Sequence, residues 1–283
     1  MHMKISELHK IFLQFGAITT DTRECRPGAI FFALKGENFN GNKFAQEALV
    51  QGCPYVVVDE AQPIEDERIL LVEDVLTTLQ ELAAYHRRYL GTPILQVTGT
   101  NGKTTTKELL AAVLSRKYNL HYTKGNLNNH IGVPKTLLQM TSEHNLAVIE
   151  TGANHPGEIE LLSKIVDANV GVVTNVGKAH LEGFGSFEGV IKTKSELYEY
   201  LRTKEKSTVL LRGDDEILSE RCADLTRVTY GLPGKGYAVE GEVVACDPCL
   251  RFRWRKQGGE WHEVATQLIG AYNVNNALCA VAA

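Results

Sequence analysis

Residues 99–105 read Gly99-Thr100-Asn101-Gly102-Lys103-Thr104-Thr105, residue types that together can hold phosphate. Glycines let backbone N–H groups approach phosphate oxygens, a lysine supplies positive charge, and a threonine hydroxyl can sit on a magnesium ion. The loop is shorter than the common G-x-x-x-x-G-K-[ST] form. Val97 stands where that form has its first glycine, so only Gly99 and Gly102 bracket the turn. The competing reading is an ordinary strand-to-helix turn. Further groups able to do chemistry follow: Glu150 just past an apolar run, His180 beyond another, and the lysines Lys192 and Lys194. Asn126, Asn128 and Asn129 crowd a glycine-containing stretch that offers donors and acceptors but little to a core.

These groups need elements to position them. Ile94–Thr98 reads as a buried strand, and the segment after Lys103 as a helix with Leu109, Leu110, Val113 and Leu114 on one side. Apolar runs at 120–123, 147–149, 170–174 and 208–211 alternate with helical patterns, one of them spanning 187–201. Such alternation predicts a parallel sheet. Ligands of open parallel sheets bind outside the carboxyl ends of the strands, and Gly99–Thr106, Glu150 and Asn175–His180 all fall at such ends. From about 237 to 268 longer β segments turn at Asp247-Pro248 and Gly258-Gly259, predicting an antiparallel appendage.

Upstream lies a smaller unit. Helical patterns at 4–15 and 74–88, the second carrying Val75, Leu79, Leu82, Ala83 and Tyr89 inward, flank short strands at 29–34, 55–58 and 69–72. Its loops Asp21–Arg23 and Lys35–Gly41 present Thr22, Arg23, Lys35 and Gly36 as groups that can grip a ligand, or as plain surface turns. The expected class is therefore α/β, with a small α/β domain over 1–88. A P-loop domain is expected over 89–283, with a mainly parallel sheet flanked by helices and an antiparallel β appendage.

Composition narrows the function. A 43% hydrophobic and 23% charged content is that of a soluble globular protein. A net charge of −4 without any Lys/Arg run argues against nucleic-acid binding. No apolar stretch approaches the ~20 residues needed to span a bilayer, so no membrane insertion is expected. The start Met1-His2-Met3-Lys4 lacks the apolar core of a signal peptide, so a cytoplasmic location is expected. Of six cysteines only Cys246-Asp247-Pro248-Cys249 has a suggestive spacing. A zinc site wants a second pair and a redox motif a strand-to-helix junction, whereas these flanks read as a hairpin, so reduced structural thiols are expected.

Read together, these segments carry a family. Thr98–Thr106 with Lys107-Glu108, the run Gly125–Pro134, Glu150-Thr151-Gly152-Ala153-Asn154-His155-Pro156-Gly157-Glu158-Ile159 and Asn175–Ser186 closely resemble the Mur ligases. The short Gly-Thr-Asn-Gly-Lys-Thr-Thr loop is the form that family uses. Asp21-Thr22-Arg23, Pro27–Gly36 and Phe39-Asn40-Gly41 are similar to its UDP-binding domain. One departure is Tyr272, where the family usually has Gly-x-His-Asn. The family has three domains and the chain stops at the segment preceding the third, so the resemblance implies a fragment that binds better than it catalyses.

The resemblance also implies a reaction: ATP-driven amide formation through an acyl phosphate, in peptidoglycan precursor synthesis. UDP-N-acetylmuramoyl-tripeptide would be the acceptor and D-alanyl-D-alanine the incoming amine. Lys103 and the backbone of Gly99, Thr100, Asn101, Gly102, Thr104 and Thr105 would hold ATP, with Asn273 and Asn276 facing adenine. Thr104 and Glu150 would ligate Mg2+, His180 would serve a second metal, and Lys194, or else Lys192, would be carbamylated as an anionic ligand. Asn128, Asn129 and Ser186 would meet the peptide. A monomer is expected. Three alternatives remain: a folylpolyglutamate synthetase-like amide ligase, a non-catalytic nucleotide- or UDP-sugar-binding module, and a plain P-loop hydrolase or switch protein.

Overall fold

The computed structural model describes residues 3–177 and 181–283. They divide into two compact units, residues 1–91 with 130–141, and residues 92–129 with 142–283.

The first unit runs α1 (Ile5–Phe15), β1 (Ala17–Thr19), β2 (Ala29–Phe32), β3 (Lys35–Gly36), β4 (Phe39–Asn40), α2 (Ala45–Val50), β5 (Val56–Val58), β6 (Ile69–Leu71) and α3 (Val75–Leu90). Its sheet has the order β1-β2-β5-β6, all parallel, with β3 and β4 forming a separate short hairpin. The unbroken Val56-Val57-Val58 run is fully buried, as a parallel strand covered on both faces requires. Helix α3 starts where the Asp74 carboxylate accepts from the Thr77 N–H and stops where Gly91 turns left-handed at φ 67°. Its inward face is Val75, Leu79, Leu82 and Ala83, as the spacing predicts. Tyr89 departs from that expectation: it is 62% exposed, because the last turn buries His86 and Arg87 instead, and its ring stands edge-on to His9.

The second unit begins with β7 (Ile94–Thr98), α4 (Lys103–Leu114) and β8 (Leu120–Tyr122). Helix α5 (Gly132–Leu137) belongs to the first unit. The chain continues with β9 (Leu146–Glu150), α6 (Glu158–Val166), β10 (Val170–Val173), α7 (Leu181–Phe184), α8 (Phe187–Arg202), β11 (Thr208–Arg212), α9 (Glu216–Arg221), β12 (Arg227–Gly231), β13 (Val239–Cys246), β14 (Cys249–Lys256), β15 (His262–Ile269) and α10 (Asn273–Ala282). These strands make one sheet of nine, in the order β15-β14-β13-β12-β11-β10-β7-β9-β8. Strands β7 to β13 are parallel, and β14 and β15 extend the same sheet antiparallel.

The two faces follow the period-two alternation of a strand. Leu95, Val97, Val172 and Leu210 pack with Leu110, Leu114 and Leu278 on one side. Val173, Val209 and Leu211 pack with Ile159, Leu197 and Leu201 on the other. The buried face of α4 is Thr106, Lys107, Leu110, Ala111 and Leu114, so the expected stripe is rotated and Val113 is 48% exposed. Cys246 and Cys249 end adjacent strands of a hairpin, and all six cysteines are free thiols.

Candidate active site

Strand β7 lies between β9 and β10, while the chain leaves β7 for β8 at the sheet edge. That reversal of direction opens a crevice at the carboxyl ends, where open α/β sheets bind ligands. The loop out of β7, Glu150 at the end of β9 and Thr174–Gly177 after β10 meet there.

The loop is tied to the end of β10. Gly99 adopts φ 137°, and a Cβ there would lie 2.1 Å from Thr174 Oγ1, so only glycine fits. Thr174 Oγ1 and Asn175 Nδ2 donate to the Asn101 carbonyl at 2.6 and 2.8 Å, and Asn175 Oδ1 accepts from the Asn101 N–H. Thr100 Oγ1 accepts from the Gly177 N–H at 3.0 Å. Gly102 turns left-handed at φ 78°, and α4 begins at Lys103, so unsatisfied N–H groups of its first turn and the positive end of its dipole sit at the loop. Lys103 Nζ folds back to donate to the Gly99 and Thr100 carbonyls, both at 2.8 Å. Burial lowers its pKa, opposed by the charge of Glu150.

Glu150 is the anionic centre, 1% exposed. Its Oε1 accepts from Asn128 Nδ2 at 2.8 Å and Thr104 Oγ1 at 3.2 Å, and its N–H donates to Thr123 Oγ1. Its Oε2 is buried without a hydrogen bond, with Lys107 Nζ 4.0 Å away. Buried carboxylate oxygens are rarely left in that state. A hydroxyl and a carboxylate are hard oxygen donors, and magnesium is commonly held by one or two carboxylates with substrate phosphates. The pair Thr104 and Glu150 therefore fits such an ion. Among the described residues no three His, Cys, Asp or Glu side chains cluster as a metal site.

Lys194, on α8, is 2% exposed and donates to the Ala153 carbonyl at 3.2 Å, with its ammonium over the Phe184 ring. Burial, with a smaller contribution from the charge of Lys103, brings its pKa down to about 8. Lys192 points to the exposed face of the same helix. His180 lies outside the described residues.

The asparagines at the end of the chain have structural partners. Asn273 donates to the Ile269 carbonyl and accepts from Asn276, whose Oδ1 accepts from Thr106 Oγ1 at 3.2 Å. The start of α10 is thereby docked on α4, with Asn276 against Gly102. Thr105 is half-buried in the first turn of α4 and Asn129 is exposed beside Asn128. Ser186 caps α8, its Oγ accepting from the Gly189 N–H. In the first unit, the Arg23 guanidinium pairs with Asp21 and holds that carboxyl down to about 2, while Thr22 lies in the same short 3-10 turn. Lys35 Nζ is 3.1 Å from Asp59, and Gly36 is exposed on β3.

Two contributors escape a reading of motifs, Thr123 and Thr174, and Lys107 falls within one without being given a role. Lys107 alone leaves a trace in the sequence, as a lysine three, four and seven residues before Leu110, Ala111 and Leu114 on one helical face.

Fold and site together define an α/β architecture with a glycine–lysine–threonine loop at the carboxyl ends of a mainly parallel sheet, and the chain belongs to the Mur ligase family. The description "Mur ligase middle domain" matches residues 97–283, and "Mur ligase family, catalytic domain" matches residues 14–87. The chain is similar to the UDP-N-acetylmuramoyl-tripeptide–D-alanyl-D-alanine ligase of Bacillus subtilis, 37% identical over 94% of this chain and 57% of the relative. It is 42% identical to the ligase of the same name from Escherichia coli, over 74% of this chain and 46% of the relative. The structure of MurF from Acinetobacter baumannii superposes with a TM-score of 0.84 at 36% identity, covering 94% of this chain and 58% of that one. MurF from Thermotoga maritima in complex with ADP gives 0.83 at 29% identity, covering 93% and 61%. The chain thus spans somewhat more than half the length of relatives that it matches nearly end to end.

Proposed function

We propose that this chain carries the UDP-sugar-binding and ATP-binding parts of a ligase that joins D-alanyl-D-alanine to UDP-N-acetylmuramoyl-tripeptide for peptidoglycan synthesis. The observation that carries this reading is the convergence of Lys103, Thr104 and Glu150 at the carboxyl ends of β7 and β9, in a chain whose relatives bear that name. The ADP held by the Thermotoga relative supports nucleotide binding here.

The terminal carboxylate of the tripeptide attacks the γ-phosphorus of ATP, a P–O bond forms and ADP leaves. The dipeptide amine then attacks the acyl carbon, phosphate departs and the amine loses a proton. Such chemistry needs alignment and neutralisation of charge. The loop N–H groups and Lys103 hold the phosphates, Lys103 exchanging the Gly99 and Thr100 carbonyls for phosphate oxygens. Thr104 and Glu150 would hold Mg2+, which would supply neutralisation of phosphate charge. Asn128 orients Glu150, and Asn129 borders the peptide side. Buried Lys194, its pKa already low, is the lysine suited to add carbon dioxide as its neutral amine, losing a proton to give a carbamate. Residues 1–88, through the Thr22–Arg23 and Lys35–Gly36 loops, hold the UDP-sugar. The same reading makes the protein a cytoplasmic monomer; among the described residues no helix is long and apolar enough to cross a membrane.

Calorimetric titration with Mg·ATP and separately with UDP-N-acetylmuramoyl-tripeptide tests the assignment. Both bind, Lys103→Ala loses at least about tenfold in nucleotide affinity, and phosphate release requires the tripeptide. Unchanged nucleotide affinity in Lys103→Ala overturns the phosphate-loop role. Phosphate release indifferent to the UDP-tripeptide overturns the ligase assignment.

A further inference from the structure

Lys107 is a buried charge that the proposed chemistry leaves unused. Its side chain is wholly buried on the inward face of α4, beside Leu110 and Ala111 in sequence register. An ammonium in such a place requires partners. They are Glu108 Oε1 at 2.8 Å, the Gly125 carbonyl at 3.4 Å, Glu150 Oε2 at 4.0 Å and the face of the Tyr122 ring, its centroid 6.0 Å away. The Glu108 side chain is 54% exposed, so water screens that pair. The Glu150 side chain is 1% exposed, so its interaction with Lys107 runs through protein, where charges couple more strongly. A separation of 4.0 Å exceeds hydrogen-bond reach. Oε2 therefore sits in the field of an ammonium while its lone pairs stay unclaimed.

The charge balance of the site has a consequence for metal binding. Among the described residues Glu150 has no pair of neighbouring His, Cys, Asp or Glu side chains to make up a metal cluster. Lys107 offsets its charge from one side, and Lys103 is coupled to it as well. Among the described residues, a bare divalent cation would meet a carboxylate whose charge is already offset by lysines. One that arrives with nucleotide phosphates brings its own anions.

We propose that Lys107 is the resident counter-ion of Glu150, a positioning residue that makes divalent-metal binding conditional on the nucleotide. This rests on the reading of Thr104 and Glu150 as the metal-holding pair. Lys107 also ties α4 to the Gly125 carbonyl, so the loop that delivers Asn128 to Glu150 is anchored by the same ammonium.

The test measures free Mn2+ by electron paramagnetic resonance, without nucleotide and with saturating ADP. The wild-type chain binds Mn2+ weakly alone and much more tightly with ADP. Lys107→Met tightens nucleotide-free Mn2+ binding by at least about tenfold and narrows the gap between the two conditions. Lys107→Arg, which keeps the charge, stays close to wild type. A purely structural role moves the other way, weakening Mn2+ binding as the fold loosens. Lys107→Gln, assayed in parallel with its melting temperature, supplies a neutral polar head if the methionine variant does not fold. Unchanged or weaker nucleotide-free Mn2+ binding in the folded neutral variants overturns the proposal. Glu150→Gln separates the two readings. If it leaves Mn2+ binding with ADP intact, the metal-holding pair is wrong and this inference falls with it. If it abolishes that binding while neutral Lys107 variants match wild type, only the counter-ion role fails.

Discussion

Asn128 donates a 2.8 Å hydrogen bond from Nδ2 to Oε1 of Glu150, the same oxygen that receives the Thr104 hydroxyl. One carboxylate thus joins the first turn of α4 to the asparagine-rich loop after β8. The carboxylate's orientation is set by groups from two separate stretches of chain, while Thr123 holds its backbone N–H.

Asn128→Ala removes one of the two donors on Oε1 and leaves the carboxylate free to rotate. We expect Mg2+-dependent nucleotide affinity to fall about tenfold, the equivalent of one hydrogen bond to a charged group. Affinity measured without Mg2+ changes less. Asn128→Asp sets a like charge at hydrogen-bonding distance and falls further. Calorimetry with and without Mg2+ distinguishes these outcomes, and equal losses in both conditions would remove Asn128 from the metal side of the site.

Gly99→Ala places a Cβ 2.1 Å from Thr174 Oγ1 and 2.9 Å from the Thr174 backbone nitrogen, at a φ of 137°. We expect a loss of about 2–4 kcal/mol of stability together with nucleotide binding. Gly258→Ala, left-handed at φ 71° but facing open space, costs only about 1 kcal/mol. Thermal melts of both variants check the contrast.

Lys194 has its pKa lowered from 10.5 to about 8, chiefly by burial. Between those values the unfolded chain holds a proton that the folded chain has released, so this residue makes stability rise with pH across that window. Below about pH 8 the folded protein carries a buried ammonium at a cost. Lys194→Met should therefore be as stable as wild type or more so at pH 7, and lose that advantage by pH 10. Paired denaturant melts in bicarbonate-free buffer measure it; parallel pH profiles would show that Lys194 titrates normally.

The first unit holds a buried imidazole pair, His9 Nε2 to His86 Nδ1 at 3.0 Å, with His86 Nε2 against the Met140 carbonyl. Burial lowers the pKa of both rings, and each charge would also oppose the other at His9. As pH falls below about 6.5, unfolded histidines take up protons that the folded pair resists, so stability is lost with acidification. Melting of the first unit should drop between pH 7 and 5.5, and His86→Gln should flatten that slope. A pH-independent melt of wild type would rule the pair out as the source.

Local order decides much of this molecule. Strand-length apolar runs, the glycine–lysine–threonine loop and the strand ends at Glu150 and Asn175 are legible because backbone periodicity and turn chemistry act over a few residues. The same holds for Asp74 as a helix cap and Gly91 as a helix stop. Segment wording was enough for the family, and its match over residues 97–283 agrees with it. Segment order also suggested the antiparallel strands, though not that β14 and β15 continue the main sheet.

What short-range pattern leaves open are relations across the sheet. Helical spacing alone put Val113 inward and took no account of Lys107, whereas packing of α4 against β7, β9 and α10 turned the stripe and buried the lysine. The resemblance implies that Asn273 and Asn276 face adenine; their hydrogen bonds to Ile269 and Thr106 come from the docking of α10 on α4, which no spacing predicts. Glu150 was visible as a carboxylate at a strand end. Its partners Thr104, Asn128, Thr123 and Lys107 were fixed only when β7, β8 and β9 paired in register and brought groups 22 to 46 residues away onto it. The residue types that do the chemistry are written locally; their distances and charge balance arise from long-range packing, which a linear reading of neighbours does not contain.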